Sequence, residues 1–119
     1  MIQHEQFTRV FDLLPQYLQL HKSDLFNIKR DGEWRHYSSS ELLEIIDETA
    51  LGLLALKIKP GDKVAIISAN RPEWNFIDFA IQIIGGVSVP MYPTITVEDY
   101  AYIFAVSYTH LTLPTNREV

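Results

Sequence analysis

Apolar residues recur along this chain with two periods, and the switches between them lay out its elements. Within Glu5–Leu20, Phe7, Val10, Phe11 and Leu14 fall at helical spacing, and Leu18 continues the stripe past Pro15. Pro15 cannot donate the helical hydrogen bond, so it is expected to divide or kink this segment. The stripe reads as packing on its own domain rather than on a partner or a membrane surface. Leu25–Lys29 and Glu33–Tyr37 then flank Arg30-Asp31-Gly32, and Asp-Gly supplies the positive backbone torsions of a tight hairpin turn. In the second strand Trp34 and His36 point one way, Arg35 and Tyr37 the other. Ser38 and Glu41 have the Ser-x-x-Glu spacing of a capping box, which opens a helix with the broad apolar face Leu42, Ile45, Ile46, Thr49, Ala50, Leu53 and Leu54.

The stretch Gly61–Thr96 predicts a βαβ unit. Lys59-Pro60-Gly61-Asp62 is a turn. Lys63–Ser68 follows as a strand whose centre, Val64 to Ile67, is apolar on both faces, as in a covered parallel sheet. Pro72 suits the first turn of the next helix. Trp74, Ile77, Phe79, Ala80, Ile81, Ile83 and Ile84 make that helix largely buried, and Gly85-Gly86 ends it. Val87–Pro90 is the next strand. Thr96 and Asp99 read as the cap and first-turn acid of a last helix, Val97–Phe104. The fold class is therefore α/β, with a β-hairpin, helices and a parallel βαβ unit whose sheet is incomplete.

Composition narrows the function classes. The 119 residues make about one small domain, and the net charge of −5, with basic residues scattered, argues against a nucleic-acid surface. The absence of cysteine removes disulfide frameworks, thiol catalysis and cysteine-based metal sites. The first residues lack a basic start followed by an apolar run, and no apolar stretch reaches the roughly twenty residues that span a bilayer. A soluble cytoplasmic protein is expected, with peripheral membrane association left open.

Candidate chemistry is sparse. The sequence has no P-loop, no nucleophile elbow and no cluster of metal ligands, and Gly85-Gly86 follow a helix rather than open one, so they cannot seat a phosphate at a helix N-terminus. His4, His21, His36 and His110 stand far apart in the sequence without acidic or histidine partners at useful spacing, and Glu41, Glu44, Asp47 and Glu48 read as a solvated helix face near the positive end of its dipole. The best candidate site is the turn Ser68-Ala69-Asn70-Arg71-Pro72-Glu73-Trp74, at the carboxyl end of a parallel strand, where open α/β sheets bind ligands. Arg71 can hold an anion and Trp74 can wall an apolar pocket. Equally, Asn70 can bond the turn backbone, Arg71 can pair with Glu73 or another acid, and Trp74 can anchor the helix.

Four pieces in order resemble the N-terminal part of AMP-forming acyl-CoA synthetases, especially long-chain fatty-acid–CoA ligases. Glu33-Trp34-Arg35-His36-Tyr37-Ser38 with Glu41-Leu42 resembles the first core motif of that family. Leu51-Gly52-Leu53 and Lys59-Pro60-Gly61-Asp62-Lys63-Val64-Ala65-Ile66 resemble the run into its next strand. Asn70-Arg71-Pro72-Glu73-Trp74 is similar to a turn of its long-chain members. Gly85-Gly86-Val87-Ser88-Val89-Pro90-Met91-Tyr92-Pro93-Thr94 resembles the second core motif. The resemblance runs from about Phe7 to Phe104. It implies a parent enzyme that joins a fatty acid to AMP from ATP, with Mg²⁺ screening the phosphates, and passes the acyl group to CoA. The phosphate loop, the adenine and Mg²⁺ motifs, the ribose-binding Asp and the catalytic Lys of such an enzyme would follow residue 104. No catalytic, cofactor-binding or metal residue is therefore assigned in this chain, and the chain alone is expected to be inactive. A stand-alone α/β binding or interaction module using the Asn70–Trp74 turn is the other reading.

Residues 1–105 are thus expected to be a partial N-terminal domain of an AMP-binding synthetase. Val106 to Thr115 are similar to one reading frame of a transposon-end adapter used in sequencing libraries, GTC TCT TAT ACA CAT CTG ACG CTG CCG ACG. In that frame Val119 is GTG and the adapter then supplies TAG, a stop. Residues 106–119 are accordingly expected to be a non-native tail, with no role for His110 or Arg117.

Overall fold

The computed structural model describes residues 8–107. A 3-10 turn, Val10–Leu13, runs directly into helix α1, Leu14–Gln19. Pro15 sits in the first turn of α1, where the segment divides, as expected, into the 3-10 turn and the α-helix. A first-turn amide has no intrahelical acceptor, so the proline forfeits nothing there and a new helix starts around it. Phe7, the start of the predicted stripe, lies outside the described residues.

The hairpin forms as the alternation predicts. Strands β1, Phe26–Arg30, and β2, Glu33–Tyr37, pair antiparallel, with Phe26 opposite Tyr37 and Arg30 opposite Glu33. Asp31 and Gly32 adopt φ of 51° and 80°, the two left-handed torsions that match a two-residue turn to the strand twist. Helix α2, Ser39–Ala55, opens with both halves of the capping box. The Glu41 amide donates to Ser38 Oγ at 3.2 Å, and the Ser38 amide donates to Glu41 Oε1 at 3.1 Å. Its buried stripe is Leu42, Ile46, Ala50 and Leu53; Leu54 is exposed, so this face is narrower than the apolar pattern predicts.

Strands β3, Lys63–Ile67, and β4, Val87–Met91, pair parallel, Lys63 opposite Val87 and Ile67 opposite Met91, with helix α3, Pro72–Ile83, as the crossover. Val64, Ala65 and Ile66 are fully buried, as expected of a strand covered on both faces. The chain leaves α3 through Gly85 at φ 84°. At Gly86 a Cβ would lie 3.0 Å from Ile81 Cγ2 and 3.3 Å from the Asp62 carbonyl oxygen, so a side chain there would need its neighbours to give by a few tenths of an ångström. Helix α4, Val97–Ser107, begins where the Asp99 amide donates to Thr96 Oγ1 at 3.2 Å.

The two strand pairs are separate sheets, bridged by the helices. Helices α2 and α3 pack on one another, and the hairpin packs on α3 through aromatic edges. Phe76 is the hub. Its ring meets Phe26 at 5.7 Å and Tyr37 at 5.0 Å, both edge to face, a favoured aromatic geometry. The apolar pattern of α3 leaves Phe76 out of the predicted buried set, yet it is among its most deeply buried residues. Tyr17 of α1 closes the other end against Phe79 at 6.4 Å.

A candidate pocket at the carboxyl ends of β3 and β4

Because β3 and β4 run parallel, both release their chains on the same side. The turn 68–71 leaves β3 there and residues 92–96 leave β4 there. Between them lies a cavity of about 560 Å³, lined by Ser68, Ala69 and Asn70, by Trp74 and Asn75 of α3, and by Pro90 to Pro93. The crevice outside the carboxyl ends of parallel strands is the usual ligand position in open α/β sheets. The lining is apolar on the Trp74, Met91 and Pro93 side and carries two amides, Asn70 and Asn75. Tyr100 of α4 holds the far lip, its hydroxyl donating to the Tyr92 carbonyl at 2.8 Å.

Glu73 organises the turn. Arg30 Nη2 of β1 lies 2.8 Å and 2.7 Å from its two carboxylate oxygens. Arg71 Nε donates to Oε1 at 3.1 Å, and the Tyr37 hydroxyl donates to Oε2 at 3.3 Å. Burial would raise the Glu73 carboxyl, but hydrogen bonds from Arg30, from its own backbone and from Arg71, together with the Arg71 charge, outweigh it and bring the pKa down to about 2. The same carboxylate raises Arg30 above its ordinary value.

Of the residues singled out in the turn, Ser68, Asn70 and Trp74 reach the cavity, while Arg71 and Glu73 turn toward the hairpin. Arg71 takes the second of its two predicted roles and pairs with Glu73. Trp74 does both things expected of it, packing partly buried against the core and walling the cavity. Asn75, Pro90, Met91, Tyr92 and Pro93 complete the lining and were not legible as site residues. Their approach depends on which strands pair, and no local motif encodes that. Arg30, 43 residues from Glu73, was missed for the same reason.

The remaining candidates stay apart. His36 Nδ1 pairs with the Asn27 amide oxygen across the exposed face of the hairpin. Glu44, Asp47 and Glu48 are exposed along α2, and Glu41 is used in its cap. His4 and His110 lie outside the described residues. Among the described residues no group of three or more His, Asp or Glu could hold a metal ion. The cavity lining carries no cationic side chain for a nucleotide phosphate. These residues therefore do not fit Mg²⁺ or ATP phosphates, and no chemical step is assigned to them.

The fold and this crevice define an α/β unit with a ligand-sized space at the carboxyl ends of a parallel pair. Residues 17–118 match the AMP-binding enzyme family, so the chain belongs to that family. The matched range reaches past Phe104 into the 106–119 tail. The long-chain-fatty-acid–CoA ligase FadD15 of Mycobacterium bovis is 41% identical over 73 residues, covering 61% of this chain and 12% of that protein. The chain thus spans a small part of the length of this relative. The fatty acid AMP ligase from Legionella pneumophila superposes with a TM-score of 0.82 at 18% identity, over 96% of this chain and 21% of that one. The N-terminal subdomain of Klebsiella oxytoca NpsA, in complex with 3-hydroxybenzoyl-AMSN, superposes with a TM-score of 0.78 at 22% identity, over 95% of this chain and 28% of that one. These two likenesses show the fold.

Proposed function

We propose that this chain is part of an enzyme that activates a long-chain fatty acid. In that reaction the carboxylate attacks the α-phosphorus of ATP to give an acyl-adenylate and pyrophosphate, and the CoA thiol then displaces AMP to give the thioester. The observation that carries the reading is the 41% identity to a long-chain-fatty-acid–CoA ligase, within a family match that spans most of the chain. ATP, CoA and Mg²⁺ are the cofactors of the whole enzyme, which acts in the cytoplasm with no nucleic-acid partner. Among the described residues no helix is long and apolar enough to cross a membrane.

The 119-residue chain alone catalyses neither half-reaction in this reading, since phosphate-binding and proton-handling groups are missing from its pocket. Purified chain incubated with ATP, Mg²⁺ and palmitate, with hydroxylamine as acyl acceptor, is expected to release no pyrophosphate and form no hydroxamate. Either product above the no-protein control would overturn this. Residues 106–119 are proposed to be foreign to the gene. Genomic DNA that itself encodes residues 106–119 and reads on past them would refute that, whereas a gene that departs from this chain after codon 105 and continues in frame to a Ser/Thr/Gly-rich phosphate loop would support both proposals.

The cavity supports a second reading, a stand-alone module that binds a small apolar ligand. A folded monomer that binds such a ligand without ATP would favour it.

A further inference from the structure

The hairpin does not touch the large cavity, yet it is joined to the residues that do. On the first turn of α3, Glu73 and Phe76 share the face toward the hairpin, three residues apart, while Trp74 and Asn75 point toward the cavity. Phe76 fixes the hairpin against the middle of α3. Nearer the turn lies a second opening of about 240 Å³, bordered by Phe26, Asn27 and Ile28 of β1 and by Asn70, Arg71, Pro72 and Asn75. Asn70 and Asn75 line both spaces. Close packing sets the distance between elements where side chains interdigitate. Beside an opening of this size fewer side chains interdigitate, and the bonds that span it take a larger share in setting the spacing.

Glu73 supplies those bonds. Its carboxylate takes hydrogen bonds from β1, from β2 and from the turn, through Arg30, Tyr37 and Arg71. Two guanidinium groups and a hydroxyl on one carboxylate leave little freedom in its position, and charge-assisted bonds of 2.7–2.8 Å are the strong kind. We propose that Glu73 is the positioning residue of the pocket: by gripping Arg30 of the hairpin and Arg71 of the turn together, it sets their separation and so holds Asn70, Trp74 and Asn75 against Pro90 to Pro93. The inference concerns the shape of the pocket and stands apart from the activity proposed above.

The chain has two tryptophans, and Trp34 is 61% exposed, so Trp34→Phe leaves Trp74 as the sole reporter inside the pocket. In that background Glu73→Gln and Arg30→Gln are expected to raise acrylamide quenching of Trp74 by about twofold and to move its emission to the red, while far-UV circular dichroism stays the same. Arg30→Lys keeps the charge but not the guanidinium, and is expected to restore most of the shielding. If quenching stays at the parent value in both glutamine variants while only their urea midpoints fall, Glu73 is a stabilising ion pair and the proposal is wrong. Should Glu73→Gln fail to fold, the two Arg30 variants decide. Graded quenching, parent below Lys below Gln, supports the grip, and equal quenching in all three refutes it.

Discussion

Helices α3 and α4 are similar in length and both carry an acid in the first turn, yet they sit in opposite environments. On α3, Phe76, Ala80 and Ile81 are at most 2% exposed. On α4, Val97 is 80% exposed, Tyr102 71% and Val106 58%. Local signals suffice to start a helix in both places: Pro72 at the head of α3, the Thr96 cap on α4. What differs is the partner. The α3 helix lies between α2, the hairpin and the parallel strands, whereas on α4 the Tyr100 hydroxyl reaches the Tyr92 carbonyl and the Tyr100 and Phe104 rings stack on one another within the helix. Capping and pattern decide that a helix forms, and packing decides how much stability it contributes.

Substitutions can break that contrast. Phe76→Ala removes the ring that joins α3 to both hairpin strands and should cost about 3–5 kcal/mol in urea unfolding, enough to unfold a domain this small. A loss no larger than that from a surface change would show that the α3 side is not the core.

A smaller effect is expected from acid. The folded state holds Glu73 at about 2 against an ordinary 4.5. It therefore favours the carboxylate, and the stability this adds is complete above the ordinary value and lost as pH falls from there toward 2. The gap in urea stability between parent and Glu73→Gln should narrow by about 1–2 kcal/mol between pH 7 and pH 2, a figure reduced for the solvent that still reaches this group. A gap that stays constant over that range would remove the ion cluster from the stability of the α3 side.

Next in size is the cap of α2. Ser38→Ala should destabilise the chain by about 1 kcal/mol, with Ser38→Asp recovering most of it, as read by thermal unfolding. At the bottom of the scale, Tyr102→Ser on α4 should change stability by less than about 0.5 kcal/mol, because that side chain is already in water. A loss comparable to Phe76→Ala would mean that α4 packs far more than its exposure indicates, and the contrast between the two helices would fail.

Much of the fold was legible because it is encoded by neighbours. Asp31-Gly32, the Ser38–Glu41 box, Pro60-Gly61, Pro72 and Gly85 each impose a torsion or satisfy an amide within a few residues, and each appears where its chemistry placed it. The candidate site was half legible. The turn 68–74 could be found from its position after a buried strand, and the Arg71–Glu73 pair from its spacing. Pro15 divides its segment as expected, with a 3-10 turn before it and a new helix starting around it.

The sequence by itself determined the α/β class, the element order and the family, since these rest on periodicity, caps and local motifs that survive without neighbours in space. Only the tertiary structure decided that Phe76 is the hub, that Arg30 reaches Glu73, and that Tyr92 and Pro93 face Trp74 across a cavity. Those relations depend on how far apart distant stretches settle, and that distance is fixed by packing and by a few long-range charge pairs rather than by any residue's immediate neighbours.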